Sequence, residues 1–309
     1  MTHSMEGVLD TAEKISSMEI RGAGYIGRAA VEALRDFALR LDTSSLEEFN
    51  AETRRAAEIL LKTRPTAVSL SNAIKMVMRY RGEDTESALR SLVTNANDFV
   101  ERSLKAVEQI GMIGSHRIRD GDTILTHCNS MAALSIIETS HRAGKDIKVI
   151  ATESRPRYQG RLTVKMLDQM GIKTELIVDS AVRSVINEVD VVVVGADVIT
   201  VNGSLVNKIG TAQIALCAHE ARTSFMVAAE TYKFSPDTIM GELVPIEMRS
   251  SQEVYPDMPE MVNVTVRNPA FDVTPHQYID IICTEAGAIP PEMSYVIIKE
   301  KLGWDLEES

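Results

Sequence analysis

The sequence predicts an α/β protein with a helical N-terminal domain and a doubly wound parallel sheet in its C-terminal domain. Apolar residues recur at helical spacing from about Ser4 to Gly114. Beyond that point, short β-branched runs alternate with helical segments, which is typical of a parallel sheet covered by helices on both faces. We therefore predict a helical domain at residues 1–114 and a sheet-containing domain at residues 115–309.

The helical domain is predicted from long segments that each carry one apolar stripe. These segments are YIGRAAVEALRDFALRL, LEEFNAETRRAAEILLKT and ALRSLVTNANDFVERSLKAVEQIGMIG. The stretch Arg21–Gly24 stands at the start of the first segment, where small residues leave backbone N–H groups open to an anion. We expect Arg64 and Pro65 to open another helix, because proline is favoured in the first helical turn.

The sheet is predicted from apolar runs that each end in polar residues. These runs are TILTH, IKVIATES, TELIVD, VVVVGAD, SFMVAAE and YIDIICTE. In doubly wound sheets, ligands bind beyond the carboxyl ends of the strands, where the strand order reverses. Helix capping accounts equally well for Ser, Thr, Asp and Asn at such positions. At the end of a strand, a residue type that does not cap helices is therefore stronger evidence of a functional site than Ser, Thr, Asp or Asn.

Composition restricts the class of protein and its partners. The formal net charge is -11 for 309 residues, and this acidity argues against general nucleic-acid binding. No apolar run is long enough to span a membrane, and the acidic start MTHSMEGVLDTAEKI does not resemble a signal peptide. Three widely spaced cysteines form no C-x-x-C pair and are expected to be reduced. We expect a cytoplasmic protein.

Cys128 follows the TILTH run, at the point where a helical pattern begins. Burial would raise the pKa of its thiol, whereas a helix amino end and a neighbouring cation would lower it. A thiol with a pKa near neutrality could act as a nucleophile or as a proton-transfer base. The alternative is a small core residue, which is what we expect of Cys217 and Cys283. We interpret His127 as structural, because adjacent strand residues point to opposite faces.

Asp197 stands at the mouth of the VVVVGAD strand and is the second candidate for chemistry. A turn around Asn202 follows, and we expect Asn207 and Lys208 to lead into a helix from Ile209. A carboxylate beside a lysine suits acid–base chemistry on a phosphorylated or polyhydroxylated molecule. A capping aspartate with a surface lysine is the equally weighted alternative.

Four potential cations stand out in this acidic chain: Arg21, Arg64, Lys208 and Lys233. They suffice for two phosphate groups if the fold brings them together. The six histidines show no metal-ligand spacing. There is no nucleotide fingerprint and no hydrolase or zinc-protease motif either. We therefore expect neither a metal nor a cofactor.

Taken together, these residues resemble one family, the sugar-phosphate isomerases related to the regulatory subunits of the eukaryotic initiation-factor exchange complex. The motifs that carry the resemblance are IRGAG, TRPTAVSL, THCNS, GADVITVNGSLVNKIGT, AAETYKF and NPAFDVTP, and it covers nearly the whole chain. The resemblance implies a helical domain on a Rossmann-like catalytic domain. It also implies a homo-oligomer, either a hexamer or an assembly of dimers.

The resemblance implies a role for each motif residue. Cys128 and Asp197 correspond to the family's catalytic pair. The substrate-binding positions are Arg21, Gly22, Ala23, Gly24, Arg64, Ser130, Met131, Ala132, Asn207, Lys208 and Lys233. The implied reaction converts ribose 1,5-bisphosphate to ribulose 1,5-bisphosphate through a phosphoenolate, within nucleoside-monophosphate (AMP) degradation.

The resemblance leaves one departure and two alternatives. Members of this subgroup can carry a lysine where this chain has Met131, so one phosphate contact is missing or comes from backbone N–H groups. Isomerisation of methylthioribose 1-phosphate is the first alternative, although the glycine-rich turn of those enzymes typically reads RGAP and this chain has RGAG. The second is a non-catalytic regulatory subunit, but such relatives lack the cysteine and the carboxylate.

Overall fold

Helices alone build the first part of the protein. The structure is a computed structural model that describes residues 2–240 and 243–303, and the chain divides into two units, Met1–Ala106 and Val107–Ser309. The helices of the first unit are α1 (Thr2–Ser16), α2 (Ala23–Arg40), α3 (Leu46–Thr63), α4 (Val68–Val77) and the start of α5 (Thr85–Ser115). The helical N-terminal region predicted from the sequence is confirmed. The predicted domain boundary at residue 114 falls in the last turn of α5 and stays a prediction.

Apolar residues of these helices are buried where the helices pack against each other. Helix α2 packs against α1, α3 and α4, and Leu34, Phe49 and Leu60 are completely or almost completely buried between them. Helix α3 begins where Ser45 accepts a hydrogen bond from the backbone N–H of Glu48 at 3.3 Å, as N-capping serines do.

The expected helix start at Arg64 and Pro65 is wrong. Helix α3 ends at Thr63, Arg64 lies at its C-cap with φ -144° and ψ 76°, and α4 begins only at Val68. The ring of a proline disfavours helical geometry in the preceding residue. Pro65 therefore ends α3 at Arg64 instead of opening the next helix.

A seven-stranded sheet forms the centre of the second unit. Its strands in spatial order are β3 (Lys173–Ile177), β2 (Lys148–Thr152), β1 (Thr123–Thr126), β4 (Val191–Val194), β7 (Ser224–Ala228), β9 (Ile281–Thr284) and β10 (Gly287–Ile289). All neighbours are parallel except β10, which runs antiparallel to β9. The predicted doubly wound sheet is confirmed.

Helices cover both faces of this sheet. They are α6 (Met131–Arg142), α7 (Gly160–Gln169), α8 (Val182–Val185), α9 (Thr211–Ala221) and α10 (Ser294–Leu302). Along β4, Val192 and Val194 join one apolar core, while Val191 and Val193 join the other. This alternation explains why the strand reads as four consecutive valines: each face of the sheet is buried.

A small second sheet was not predicted. Its strands β5 (Val198–Ile199), β6 (Leu205–Lys208) and β8 (Phe271–Thr274) pair antiparallel. Asn207 and Lys208 therefore lie on a strand. The helix expected after them is present but begins two residues later than Ile209. Gly210, with φ 102°, turns the chain, and α9 begins at Thr211. Glycine suits this position because its φ lies in the left-handed region.

In the described residues, none of the helices is both long enough and apolar enough to cross a membrane.

Candidate active site

Cys128 and Asp197 follow the two strands between which the strand order reverses. Strands β1 and β4 are neighbours, with Ile124 paired to Val191, although β2 and β3 separate them along the chain. The loops beyond these strands touch, because a Cβ on Gly195 would lie 2.2 Å from Ser130 Oγ. The predicted acid–base candidates therefore meet at the crevice where doubly wound proteins bind ligands.

Cys128 has a left-handed backbone, with φ 66°. Its N–H donates to Ser154 Oγ at 2.8 Å, and its carbonyl accepts from Thr163 Oγ1 at 2.6 Å. Part of the residue reaches the surface, but burial of the thiol raises its pKa to about 11. The Lys208 ammonium lowers this pKa, and the Asp197 carboxylate raises it. The pKa near neutrality considered from the sequence is thus not found, because burial outweighs the cation.

His127 is structural in this geometry. The ring is buried, and its Nε2 lies 2.9 Å from the carbonyl oxygen of Ile209, which can only accept. Nε2 therefore carries the proton, and Nδ1 accepts from the Thr152 hydroxyl. Burial lowers the pKa of His127, and the Asp179 carboxylate opposes this shift. A neutral His127 follows.

Lys208 is the cation that the fold brings to Cys128 and Asp197. The backbone N–H of Asp197 donates to the carbonyl of Val206 on β6 at 3.1 Å, which places the carboxylate beside the strand that carries Lys208. Lys208 Nζ donates to the carbonyl of Ala270 at 3.1 Å and lies 4.7 Å from the centre of the Phe271 ring. A buried lysine with few partners of its own suits an anionic ligand.

Asn207 lies next to Lys208 and is also buried. Its side-chain amide donates to Thr211 Oγ1 at 3.1 Å. Asp272, which the sequence analysis did not single out, accepts from the backbone N–H groups of Gly210 at 2.7 Å and Ala212 at 3.1 Å. Burial raises the pKa of Asp272 to about 6, and Lys208 opposes this shift. In the sequence, Asp272 could have been found as the aspartate of the NPAFDVTP motif. In the structure it caps the start of α9.

Ser130, Met131 and Ala132 form the first turn of α6. Ser130 Oγ accepts from the N–H of Ala133 at 3.3 Å and caps the helix. The Met131 side chain is 54% exposed, whereas Ala132 is buried. Ser130 is separated from Cys128 by Asn129 alone, so the backbone N–H groups of this turn are donors close to Cys128 in the chain.

Lys233 is not an unpaired cation. It lies in the turn after β7, and its Nζ is 2.6 Å from Glu230 Oε2, with both side chains buried. Glu285, from the end of β9, accepts from the backbone N–H of Thr231 in the same turn at 3.1 Å. Burial raises the pKa of Glu285. The pairing of Lys233 with a buried carboxylate was not predicted from the sequence.

The remaining predicted binding residues lie in the first unit. Gly22, with φ 90°, precedes α2 as its N-cap, and the Arg21 side chain is exposed. Ser69 Oγ donates to the carbonyl of Ala23 at 3.0 Å, so Gly22, Ala23 and Gly24 lie beside the start of α4. Arg64 precedes the same helix. The structure thus brings the two predicted anion-binding stretches of this unit to adjacent helix ends.

Among the residues that the structure describes, no group of three or more His, Cys, Asp or Glu side chains is arranged to hold a metal ion.

The sequence matches one protein family over most of its length. The family model described as the initiation factor 2 subunit family matches residues 19–291. The chain belongs to this family. The resemblance noted from the motifs is thereby confirmed.

Individual relatives place the chain more closely. Ribose 1,5-bisphosphate isomerase of Archaeoglobus fulgidus is 61% identical, over 97% of this chain and 95% of that protein. Methylthioribose-1-phosphate isomerase of Acetivibrio thermocellus is 38% identical, over 93% of this chain and 89% of that protein. The solved structure of the translation initiation factor eIF-2B of Pyrococcus horikoshii has a TM-score of 0.78 and 36% identity, over 93% of this chain and 98% of that one. Within its family, the chain is an isomerase.

Proposed function

We propose that this isomerase converts ribose 1,5-bisphosphate to ribulose 1,5-bisphosphate, with Cys128 and Asp197 as its acid–base pair. The observation that carries the proposal is the meeting of a buried thiol, a carboxylate and Lys208 at the switch point of the sheet. The name of the A. fulgidus relative, at 61% identity, supports the substrate. A place in nucleoside-monophosphate degradation, a cytoplasmic location and a homo-oligomeric state remain predictions of the family resemblance.

The substrate dictates what the pair has to do. A phosphate on the anomeric oxygen prevents the sugar from opening to a free aldehyde. The bond between C1 and the ring oxygen must therefore break while that oxygen gains a proton and C2 loses one. The Cys128 thiolate takes the C2 proton, and protonated Asp197 gives its proton to the ring oxygen. A phosphoenolate with a double bond between C1 and C2 results.

The second half of the reaction reverses both roles. The Cys128 thiol gives its proton to C1, and the Asp197 carboxylate takes the proton of the C2 hydroxyl. A ketone forms at C2, the C1 phosphate stays attached, and both side chains return to their starting protonation states. Neither a redox step nor a co-reactant is needed for this balance.

The proton distribution of the pair follows from burial. With a pKa of about 11, the Cys128 thiol is protonated at neutral pH. Ionising such a thiol at pH 7 costs roughly 5 kcal/mol. The reactive form, a thiolate with a protonated carboxyl, holds the same number of protons as the resting form, a thiol with a carboxylate. We therefore propose that the proton moves from Cys128 to Asp197 once substrate is bound.

Phosphate binding is assigned to the remaining predicted residues. Lys208 and the backbone of Ser130, Met131 and Ala132 are proposed to serve one phosphate. Arg21–Gly24, Arg64 and Lys233 are proposed to bind the rest of the substrate, and Asn207 a sugar hydroxyl. Because Lys233 is paired with Glu230 at 2.6 Å, a phosphate has to compete with that carboxylate.

Product formation by the purified protein tests the proposal. Ribose 1,5-bisphosphate is added, and proton and phosphorus NMR are used to detect ribulose 1,5-bisphosphate. We expect conversion without added metal or cofactor. The 38% identical relative makes methylthioribose 1-phosphate the second substrate to compare. Faster turnover of methylthioribose 1-phosphate would overturn the proposed substrate, and turnover of neither would overturn the proposed function.

A further inference from the structure

Cys128 is held in a backbone conformation that few residues other than glycine adopt. Its φ of 66° lies in the left-handed region, where an L side chain costs roughly 1–2 kcal/mol. Such conformations persist only where the surrounding structure holds them, and they concentrate at functional sites. The groups that hold Cys128 are thus candidates for a role in the reaction.

Two side-chain hydroxyls hold the two polar backbone groups of Cys128. Ser154 Oγ accepts its N–H at 2.8 Å, and Thr163 Oγ1 donates to its carbonyl at 2.6 Å. Ser154 is 0% exposed and Thr163 is 1% exposed. Ser154 follows β2 and Thr163 belongs to α7. The conformation of Cys128 is therefore fixed from outside its own loop, by two separate elements.

Both hydroxyls are themselves fixed by hydrogen bonds. The N–H of Ser154 donates to Asp179 Oδ1 at 2.7 Å, and its hydroxyl lies 3.3 Å from His127 Nδ1. Thr163 Oγ1 accepts from Asn129 Nδ2 at 3.0 Å. Since Asn129 donates a hydrogen bond to the Thr163 oxygen, the hydroxyl hydrogen of Thr163 remains free to point at the Cys128 carbonyl. Because both side chains are buried, water has little access to replace these hydrogen bonds.

We infer that Ser154 and Thr163 are positioning residues for Cys128, which hold it in the left-handed conformation that keeps its thiol beside Asp197 and Lys208. The inference rests on the proposed function, in which that thiol exchanges a proton with carbon. Proton transfer to carbon is sensitive to position, and a displacement of about 1 Å can cost about 100-fold in rate. Neither hydroxyl needs to touch the substrate for this effect.

A matched pair of variants at one position separates the hydroxyl from the shape of the side chain. Thr163→Val keeps the shape and removes the donor, whereas Thr163→Ser keeps the donor and removes a methyl group. We expect Thr163→Val to lower kcat about 10- to 100-fold with KM changed less than about 3-fold. Thr163→Ser should stay within about 3-fold of the wild type in kcat, although the lost methyl lowers its stability.

Alkylation without substrate gives a second readout that does not depend on turnover. Iodoacetamide labelling of Cys128 is followed by mass spectrometry, with half-buried Cys217 in the same molecule as the internal reference. The ratio of the two labelling rates should change in Thr163→Val and be restored in Thr163→Ser. If Thr163→Val fails to fold by circular dichroism, Ser154→Ala provides the same comparison, since it removes the acceptor of the Cys128 N–H.

Ser140→Ala is the control for loss of a buried hydroxyl. Ser140 is also 0% exposed, and its hydroxyl donates to the carbonyl of Ile136 at 2.8 Å within α6. This variant should lose stability but keep kcat and the labelling ratio. Wild-type kcat and labelling in both Thr163→Val and Ser154→Ala would overturn the inference. If the proposed function itself is wrong, Cys128→Ser will keep full activity. In that case the labelling ratio still decides whether the two hydroxyls position the thiol.

Discussion

At the scale of single residues, burial and charge act in opposite directions, and burial has the larger effect. Burial raises the pKa of Cys128 to about 11 and that of Asp272 to about 6, although Lys208 lowers both. Burial likewise lowers the pKa of His127. The Cys128 thiol is therefore neutral at pH 7 despite the nearby Lys208 ammonium, and it must lose its proton before it can act as a base.

The catalytic pair is tested by Cys128→Ser and Asp197→Asn. A serine hydroxyl is hardly ionised near neutrality, and an asparagine amide cannot exchange a proton with the sugar oxygens. Each substitution should lower kcat about 100- to 10,000-fold, the usual contribution of a positioned acid or base. The double variant should be little worse than the less active single variant, because both groups act on one substrate in one sequence of steps.

Cys217→Ala and Cys283→Ala are the controls for these variants. Cys217 is half-buried in α9, and Cys283 is buried in β9. Each substitution should lower the free energy of unfolding by about 1 kcal/mol through lost packing, and should leave turnover largely intact. Steady-state kinetics on all the variants makes the comparison. Loss of activity in Cys217→Ala with full activity in Cys128→Ser would reverse the assignment of the working thiol.

The ionisation of Cys128 predicts a pH dependence. A thiol with a raised pKa is protonated below that pKa and becomes the reactive thiolate only as pH rises toward it. With a pKa of about 11, the rate of alkylation of Cys128 in the substrate-free protein should keep rising from pH 7 to pH 10. Labelling rates measured at fixed intervals of pH test this. A rate that levels off near pH 7 would show that Lys208 outweighs burial.

At the scale of elements, the sequence predicted what depends on local pattern. Strands β1 and β4 were visible as apolar runs, so Cys128 and Asp197 could be placed at their ends. Strand β6 was missed because its neighbour β5 is only 2 residues long and its other partner, β8, lies more than sixty residues further along the chain. Ser154 and Thr163 were missed because buried hydroxyls look like caps in a sequence. The pKa of the thiol could not be predicted either, since burial is set by tertiary packing.

Close packing between α7 and β2 gives a prediction at this scale. A Cβ on Gly160 would lie 1.7 Å from the carbonyl oxygen of Thr152, a backbone atom that cannot move aside. Gly160→Ala should therefore lower the free energy of unfolding by about 1–3 kcal/mol or more. Gly7→Ala is the control, because nothing lies within 4 Å of a Cβ there. Urea denaturation measures both, and equal stability of the two variants would contradict the predicted clash.

At the scale of the whole molecule, an acidic chain carries a proposed site for an anionic sugar. The formal net charge is -11, so attraction of the substrate has to come from local cations. Arg21 and Arg64 belong to the first unit, and Lys208 and Lys233 to the second.

These four cations predict a requirement for two phosphates. Ribose 1-phosphate and ribose 5-phosphate should both be poor substrates, because each leaves part of the cationic set without an anion. Comparison of kcat/KM for the two monophosphates and the bisphosphate tests this requirement. Equal values for either monophosphate and the bisphosphate would contradict it.

The fate of the C2 proton tests the central claim most directly, because removal of that proton is the step assigned to Cys128. Ribose 1,5-bisphosphate is incubated in deuterated water with the wild type and with Cys128→Ser, and proton NMR follows C2 of the substrate and C1 of the product. The wild type should remove the C2 proton and form ribulose 1,5-bisphosphate, and Cys128→Ser should do so at least about 100-fold more slowly while still binding the substrate. Loss of the C2 proton at the wild-type rate in Cys128→Ser would show that Cys128 is not the base.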